Sequence, residues 1–390
     1  MPFKSAIDTL LSQACASGDV PGVVAMACDR NGTIYEGAFG VRSLGRPQPM
    51  TPDTLLWIAS MTKALTGTAV MQLVEQGKLD LDKPGGTWMK ELAEVQVLEG
   101  FDDAGKPKLR PPKTHVTLRQ LLTHTAGYGY DTWNPEIGRY QQATGLPPIR
   151  TRENAALRAP LLFDPGTRWN YGINIDLAGR LVEIASGQRL GAYLRDHVTG
   201  PLGMRDTDFA MTPQMRSRAA SVHQRAKTGE LKAVVMPPSE KPDFEMGGGG
   251  LNSTVPDYLR FVRAILNGGT LDGQQILEHE TVATMGKNHI GALRVTTMRT
   301  TMPNVSLDAE FFPGAPKSWG LSFQINEATA PTGRSAGSLS WAGLGNTYYW
   351  IDPVKGVGGV LATQILPFAD SKALPLLVAF ETEVYRGLAR

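Results

Sequence analysis

A serine and a lysine stand three positions apart in Ser60-Met61-Thr62-Lys63. On a helix this spacing puts both side chains on one face, within reach of each other. A serine hydroxyl alone is a poor nucleophile at neutral pH, and a neighbouring amine that has lost its proton can activate it. Burial and nearby positive charge lower a lysine pKa enough for that role. The four letters are a weak signal, because average residue usage places roughly one such pair by chance in a chain of this size. Their meaning depends on the elements that hold them and on what else the chain brings.

From Ser60 to Gln76 the sequence is apolar nearly all round: Ala64, Leu65, Ala69, Val70, Met71, Leu73 and Val74. That pattern predicts a helix buried on most sides, with Gly77 as its stop. Ser60 then falls at the helix start, where free N–H groups and the helix dipole favour negative charge on a nearby oxygen. Upstream, Ile7–Ala16 reads as an amphipathic helix. Val23–Cys28 and Thr33–Phe39 read as strands joined by the turn Asp29-Arg30-Asn31-Gly32. The middle of the chain is dominated by prolines and short helical patterns, at Leu118–Thr123, Asn154–Ala159, Ile175–Ala185 and Leu190–Val198. Val255–Leu266 is a further helix, capped by Ser253 or Thr254 and stopped at Gly268. Near the C-terminus, Gly320–Asn326, Ser338–Trp341, Thr347–Asp352 and Gly358–Thr363 read as an antiparallel meander, closed by a helix over Ala373–Leu388. Strands at both ends with no long strand run between them predict one antiparallel sheet built from both ends. Residues 1–82 and 255–390 would form this α/β domain, flanked by helices. An inserted, mainly helical all-α domain would span 83–254, with the active site in the cleft between them.

At 390 residues the chain can bury a large core, and its length suggests about two or three domains. A net charge of +2, from 39 basic and 37 acidic residues with no basic block, gives no support to a nucleic-acid or anionic-membrane partner. No apolar run is long enough to span a bilayer. The N-terminus carries no stretch of signal-peptide type, so a cytoplasmic location is expected. Cys15 and Cys28 make no metal pattern. They read as two buried thiols in a reducing compartment, with a disulfide between them as the alternative. No His, Cys or carboxylate cluster has ligand spacing, so neither metal nor cofactor is implied. Oligomeric state is not legible.

A serine acyl-enzyme needs three further parts: a group to protonate the leaving oxygen, a pair of N–H donors for the oxyanion, and a wall for the substrate. Four further stretches follow in order: Leu121-Leu122-Thr123-His124-Thr125-Ala126-Gly127, Asp164-Pro165-Gly166-Thr167-Arg168-Trp169-Asn170-Tyr171, Gly247-Gly248-Gly249-Gly250-Leu251-Asn252-Ser253-Thr254 and Trp341-Ala342-Gly343. Together with Ser-x-x-Lys, this order resembles the serine β-lactamase and penicillin-binding-protein superfamily. More closely, it is similar to the family VIII carboxylesterases, which share the class C β-lactamase fold. The resemblance covers nearly the whole chain. It implies Ser60 as the acyl-accepting nucleophile, Lys63 as the group that shares its proton, and Tyr171 as base or acid coupled to Lys63. It also implies an oxyanion hole from the N–H groups of Ser60 and Leu344, the latter just after Trp341-Ala342-Gly343. Two departures bear on substrate. Trp341 stands where β-lactamases and penicillin-binding proteins carry a cation for a carboxylate, so a charge-assisted hydrogen bond is lost. Ile173 stands where β-lactamases have asparagine, and Asn174 is one position further on. Both favour a neutral ester, which would meet Trp341, Gly343 and Ile173.

Other residues carry competing readings. Trp341 is either a substrate wall or simple packing. Tyr128, Tyr130 and Trp133 either line the substrate entrance or sit on surface loops. His124 reads as structural, since its motif is a helix end and the mechanism needs no imidazole. Gly247–Gly250 lacks the Gly-Lys-Ser/Thr ending of a phosphate loop and reads as a strand or bulge passing close to other backbone. Gly333-Arg334-Ser335-Ala336-Gly337 matches a nucleophile elbow. A turn rather than a strand precedes it, and the last histidine, His289, comes before it, so the required order fails. The expected activity is hydrolysis of short- to medium-chain esters, a small-molecule substrate class. Acyl transfer to an alcohol or amine, weak β-lactam hydrolysis, and a catalytically silent binding protein are the alternatives.

Overall fold

The structure is a computed structural model and describes residues 2–235 and 242–388. A first helix, α1 (Pro2–Ala16), leads into strands β1 (Gly22–Asp29) and β2 (Thr33–Gly40). Three helices that frame the site and the sheet follow: α2 (Thr62–Glu75), α3 (Asn174–Ser186) and α4 (Val255–Leu266). The C-terminal strands are β3 (Lys317–Trp319), β4 (Gln324–Asn326), β5 (Leu339–Gly343), β6 (Thr347–Asp352) and β7 (Val357–Ala362). The last helix is α5 (Ala373–Leu388). All seven strands form one antiparallel sheet in the order β3-β4-β5-β6-β7-β1-β2. The two chain ends meet where β1 pairs with β7, with Val24 opposite Ala362 and Asp29 opposite Val357. The sheet built from both ends is therefore present, with strand and helix limits close to those read from the sequence.

Successive residues of a strand face opposite sides of a sheet, and β6 shows what covers each side. The ring of Tyr349 lies 5.2 Å from Tyr258 of α4. The next residue, Trp350, lies 5.7 Å from Phe380 of α5. Helix α4 thus covers one face and α5, packed with α1, covers the other. The buried stripe of α4, Val255, Tyr258, Leu259, Val262, Ile265 and Leu266, follows helical spacing, and the Thr254 hydroxyl accepts the Asp257 N–H as N-cap. Two adjacent glycines in β7 allow this close approach. A Cβ on Gly358 would lie 2.5 Å from the Val262 side chain, and one on Gly359 would lie 2.3 Å from the Trp350 ring.

Several readings need correction. Of the single strand expected over Gly320–Asn326 only β4 is strand; the residues before it turn the chain back from β3 in a tight hairpin, with Ser322 at φ +74°. The middle segment holds more than helices: hairpins form at Val97–Phe101 with Pro107–Arg110 and at Val222–Arg225 with Leu231–Val234. These strands are four or five residues long and break their apolar positions with Gly, Pro or charged residues, so they carry little β signal. Leu190–Val198 divides into an α turn (Leu190–Leu194) and a π turn (Arg195–Thr199), and Asn154–Arg158 is a 3-10 turn. Cys15 and Cys28 are free thiols, but only Cys28 is fully buried. Burial pushes these thiols up to about 11 and about 12, respectively. Among the described residues no helix is long and apolar enough to cross a membrane.

Candidate active site

Ser60 sits in a 3-10 turn, Ala59–Met61, that runs directly into α2. Ala59 before it has φ +44°, a left-handed conformation that costs an ordinary residue roughly 1–2 kcal/mol. The surroundings hold this bend in place. The Met61 N–H donates to the Ile58 carbonyl at 3.0 Å, the Thr62 hydroxyl donates to the Ala59 carbonyl at 2.6 Å, and the Tyr258 hydroxyl donates to the Met61 carbonyl at 2.9 Å. The bend sets the serine at a helix start, with its hydroxyl half-exposed.

One turn later Lys63 is among the largest fully buried side chains of the molecule. Its Nζ lies 3.1 Å from Ser60 Oγ, 3.1 Å from the Tyr130 hydroxyl and 2.6 Å from the Gly248 carbonyl. None of these partners carries a formal charge. Two aromatic faces complete the enclosure, with Nζ 4.7 Å from the ring centre of Tyr171 and 5.3 Å from that of Tyr130.

The four glycines form a turn, not the strand or bulge expected from the sequence. Three successive carbonyls of this turn tie it to α2 and the segment before it. Gly247 accepts from the Thr66 hydroxyl at 2.8 Å, Gly248 from Lys63, and Gly249 from the Trp57 indole at 2.9 Å. The Gly248 N–H donates to Asp176 Oδ1 at 2.8 Å. A side chain at Gly248 is excluded, since its Cβ would stand 2.5 Å from Asp176 Oδ2.

Tyr171 is buried within a cluster of rings: His124 at 4.8 Å, Trp341 at 5.0 Å, Tyr130 at 5.3 Å and Trp133 at 5.4 Å. The indole N–H of Trp341 donates to the Tyr171 hydroxyl oxygen at 3.0 Å, which leaves Tyr171 its own O–H to give. Trp341 itself is buried, on β5. His124 is wholly buried with φ +57°. Its Nδ1 lies 3.0 Å from the Asn174 amide nitrogen, a donor, so Nδ1 accepts. Burial, helped by the Lys63 charge, holds the imidazole well below its usual pKa and keeps it neutral. His124 is thus a support beneath Tyr171, as its motif suggested. Asn174 is engaged there and does not take the place of the asparagine missing at Ile173. Ile173 is buried at the N-terminus of α3.

The end of β5 presses on the turn that carries Ser60. A Cβ on Gly343 would lie 2.2 Å from the Ile58 carbonyl oxygen and 2.3 Å from the Thr347 hydroxyl. Leu344 therefore follows immediately after the point of closest approach. Tyr128, expected at the entrance or on a surface loop, is instead completely buried, and its hydroxyl has no hydrogen-bond partner among the described residues. Ser335 lies in the turn between β4 and β5, where its N–H donates to Asp352 at 2.9 Å. His289 is bonded to Thr284 and Arg119, so the elbow motif has no base.

Sequence reasoning missed Asp176, and it did not distinguish Tyr130 from its aromatic neighbours. The signal for Asp176 is present: one acid within the apolar run Ile175, Leu177, Ala178, Leu181 and Val182 of a buried helix is rare without a partner. Burial pushes its carboxyl up to about 6, against the opposing effects of the Lys63 charge and the Gly248 N–H. Burial likewise holds the Tyr130 phenol well above its usual pKa, with Asp176 adding to the effect.

A Ser-x-x-Lys pair at the start of a buried helix, its leading turn set against β5 of an antiparallel sheet closed by both chain ends, defines the class of serine β-lactamase-like proteins. The chain belongs to the Beta-lactamase family, whose sequence model matches residues 7–382. It is 31% identical over 397 residues to monacolin J acid methylbutanoyltransferase of Aspergillus terreus, covering 97% of this chain and 95% of that one. It is also 31% identical to the lovastatin esterase of Penicillium rubens, covering 97% of this chain and 98% of that one. The solved structure of unliganded simvastatin synthase from Aspergillus terreus matches with a TM-score of 0.85 at 30% identity, covering 99% of both chains. Relatives named as a transferase and as an esterase support hydrolase or acyl-transfer chemistry. Both the expected ester hydrolysis and its acyl-transfer alternative fall within that chemistry.

Proposed function

We propose that this protein is a serine esterase that hydrolyses short- to medium-chain carboxylic esters through an acyl-Ser60 intermediate. The observation that carries the reading is Lys63 Nζ, buried, 3.1 Å from Ser60 Oγ, with its other directions filled by neutral groups. Lys63 takes the hydroxyl proton as Oγ attacks the ester carbonyl. The carbonyl oxygen becomes an oxyanion that receives the N–H groups of Ser60 and Leu344. Collapse breaks the bond to the alcohol oxygen, which is protonated by the Lys63–Tyr171 unit and leaves. Water then attacks the acyl carbonyl and gives up a proton to the same unit. Ser60 recovers its proton and the acid departs.

A second reading replaces water by an alcohol acceptor. It is favoured by the 31% identity to a methylbutanoyltransferase over nearly the full length of both chains. Both readings share the acyl-enzyme and differ only in what removes the acyl group. Release of p-nitrophenol from esters of graded acyl length, with and without an added alcohol, tests them together. Ser60→Ala should abolish turnover and Ser335→Ala should keep it. New ester forming with added alcohol, at the expense of free acid, selects the transferase. Undiminished turnover by Ser60→Ala would sink both readings.

A further inference from the structure

We propose that Asp176 is a positioning residue that sets the direction of the hydrogen-bond chain ending at Ser60. It accepts the Tyr130 hydroxyl proton in a hydrogen bond, makes the Tyr130 oxygen an acceptor for Lys63, and so leaves the Lys63 lone pair to Ser60. This inference rests on the reading of Ser60 as nucleophile and Lys63 as its base.

The argument is one of counting donors and acceptors. A lysine amine acting as base has two N–H groups and one lone pair. The Gly248 carbonyl can only accept, and at 2.6 Å it takes one N–H. One N–H and the lone pair remain for two hydroxyls, Ser60 and Tyr130, each 3.1 Å away and each able to donate or accept. In one arrangement Tyr130 accepts and Ser60 donates, which is the arrangement that activates Ser60. In the other, Tyr130 donates to the amine and occupies the lone pair that Ser60 needs. The choice is made by the other neighbour of Tyr130. Asp176 Oδ2 lies 3.5 Å from the Tyr130 hydroxyl, and an ionised carboxylate only accepts. At this longer range its charge favours the orientation that turns the Tyr130 proton toward it, which is the productive direction.

The same carboxylate also places the other partner of Lys63. Its Oδ1 accepts the Gly248 N–H at 2.8 Å, so one side chain orients both groups that hold the amine. The charged or titratable groups acting on this unit are Lys63 from α2, Tyr171 across the ring cluster, and Asp131 on the loop carrying Tyr130. Burial pushes the Asp176 carboxyl up to about 6 even against the opposing charge of Lys63, and a neutral amine removes that opposition, so Asp176 gains a proton as the pH falls toward 6. Its O–H then donates to Tyr130 and permits the unproductive direction. An asparagine at this position would do the same at every pH, while keeping the acceptor for Gly248.

The test is the rate of the p-nitrophenol burst, measured from about pH 5 to 9 for wild type, Asp176→Asn, Tyr130→Phe and the double variant. In wild type the rate should fall below about pH 6, and Asp176→Asn should lack that limb and acylate about tenfold more slowly at pH 8. Without the Tyr130 hydroxyl Asp176 has no hydroxyl beside the amine to orient. Asp176→Asn should therefore cost less than about threefold on the Tyr130→Phe background, and the acid limb should be absent there too. Equal losses in both backgrounds, or an acid limb near 6 that persists in Asp176→Asn, would overturn the proposal. Should Asp176→Asn fail to fold, Tyr130→Phe decides: retention of the limb overturns the proposal, and its loss supports it. Ser60→Ala separates the two levels. Turnover without Ser60 would remove the underlying reading. A dead Ser60→Ala beside an unchanged limb in Asp176→Asn would remove only the role of Asp176.

Discussion

Trp341→Phe isolates one hydrogen bond at the centre of the site. The substitution removes the indole N–H that reaches the Tyr171 hydroxyl at 3.0 Å. It keeps an aromatic ring beside Tyr171 and Trp319, whose centres lie 5.0 and 4.7 Å from that of Trp341. Tyr171 is held by three other rings, so it should stay in place with its oxygen unpaired in a buried setting. Leaving a buried polar group without its partner costs about 1–3 kcal/mol. If that cost falls on the transition state, where Tyr171 handles a proton, kcat/KM drops by roughly 5- to 150-fold. The assay is steady-state and burst kinetics with a p-nitrophenyl ester, alongside a thermal melt. Trp341→Leu, which removes both ring and N–H, measures the packing contribution separately. Rates within about twofold of wild type for a folded Trp341→Phe would refute the reasoning. Trp341 would then be packing only.

Three further outcomes are expected. Trp341→Lys restores the cation that carboxylate-bearing substrates use, so the ratio of cephalosporin to ester turnover should rise; a fall or no change would count against the loss of that cation as the reason for ester preference. Gly343→Ala would push a Cβ toward the Ile58 carbonyl from 2.2 Å, moving Leu344 away from Ser60. Acylation should drop by about 10²–10³, the effect of losing one oxyanion donor, and wild-type burst rates would contradict this. Asp257, which accepts from the Asp206 N–H and the Thr207 hydroxyl, has its carboxyl pushed up to about 6 by burial. Between the unfolded value of about 4 and that value, the folded chain holds a proton the unfolded chain has released. Stability therefore falls as pH rises through this window, by up to about 3 kcal/mol, and remains lower above it. Asp257→Asn should raise the melting temperature relative to wild type more at pH 8 than at pH 4, and an equal shift at both would exclude this linkage.

Much of the frame was legible because it rests on local patterns. Helices α4 and α5 and strand β6 have the limits read from the sequence, since each combines a strong period with a clear cap or turn. The short hairpins of the middle segment were not legible, because their strands are only four or five residues long and carry little β signal. Ser60, Lys63 and Tyr171 stood out because their order along the chain is distinctive, and the structure places Lys63 between the Ser60 hydroxyl and the Tyr171 ring. Trp341 was read either as a wall for substrate or as packing, and the bond from its indole N–H to Tyr171 was not legible from the sequence. Nothing in the local letters separates Tyr130 from Tyr128, two residues apart. One meets Lys63, and the other is sealed away with an unpartnered hydroxyl.

The sequence by itself determined the buried helix that follows Ser60, the placing of Lys63 three residues on, and the strands at both ends that close into one sheet. These follow from apolar periodicity, turn residues and three-residue spacing, which act over short distances. Tertiary structure decided the partners of the lysine. Tyr130 and Gly248 lie 67 and 185 positions from Lys63 along the chain, and Asp176 reaches both from a third element. Hydrogen-bond direction in such a network depends on which donors and acceptors meet in space, and that is fixed only when α2, α3, the glycine turn and the Tyr130 loop pack together.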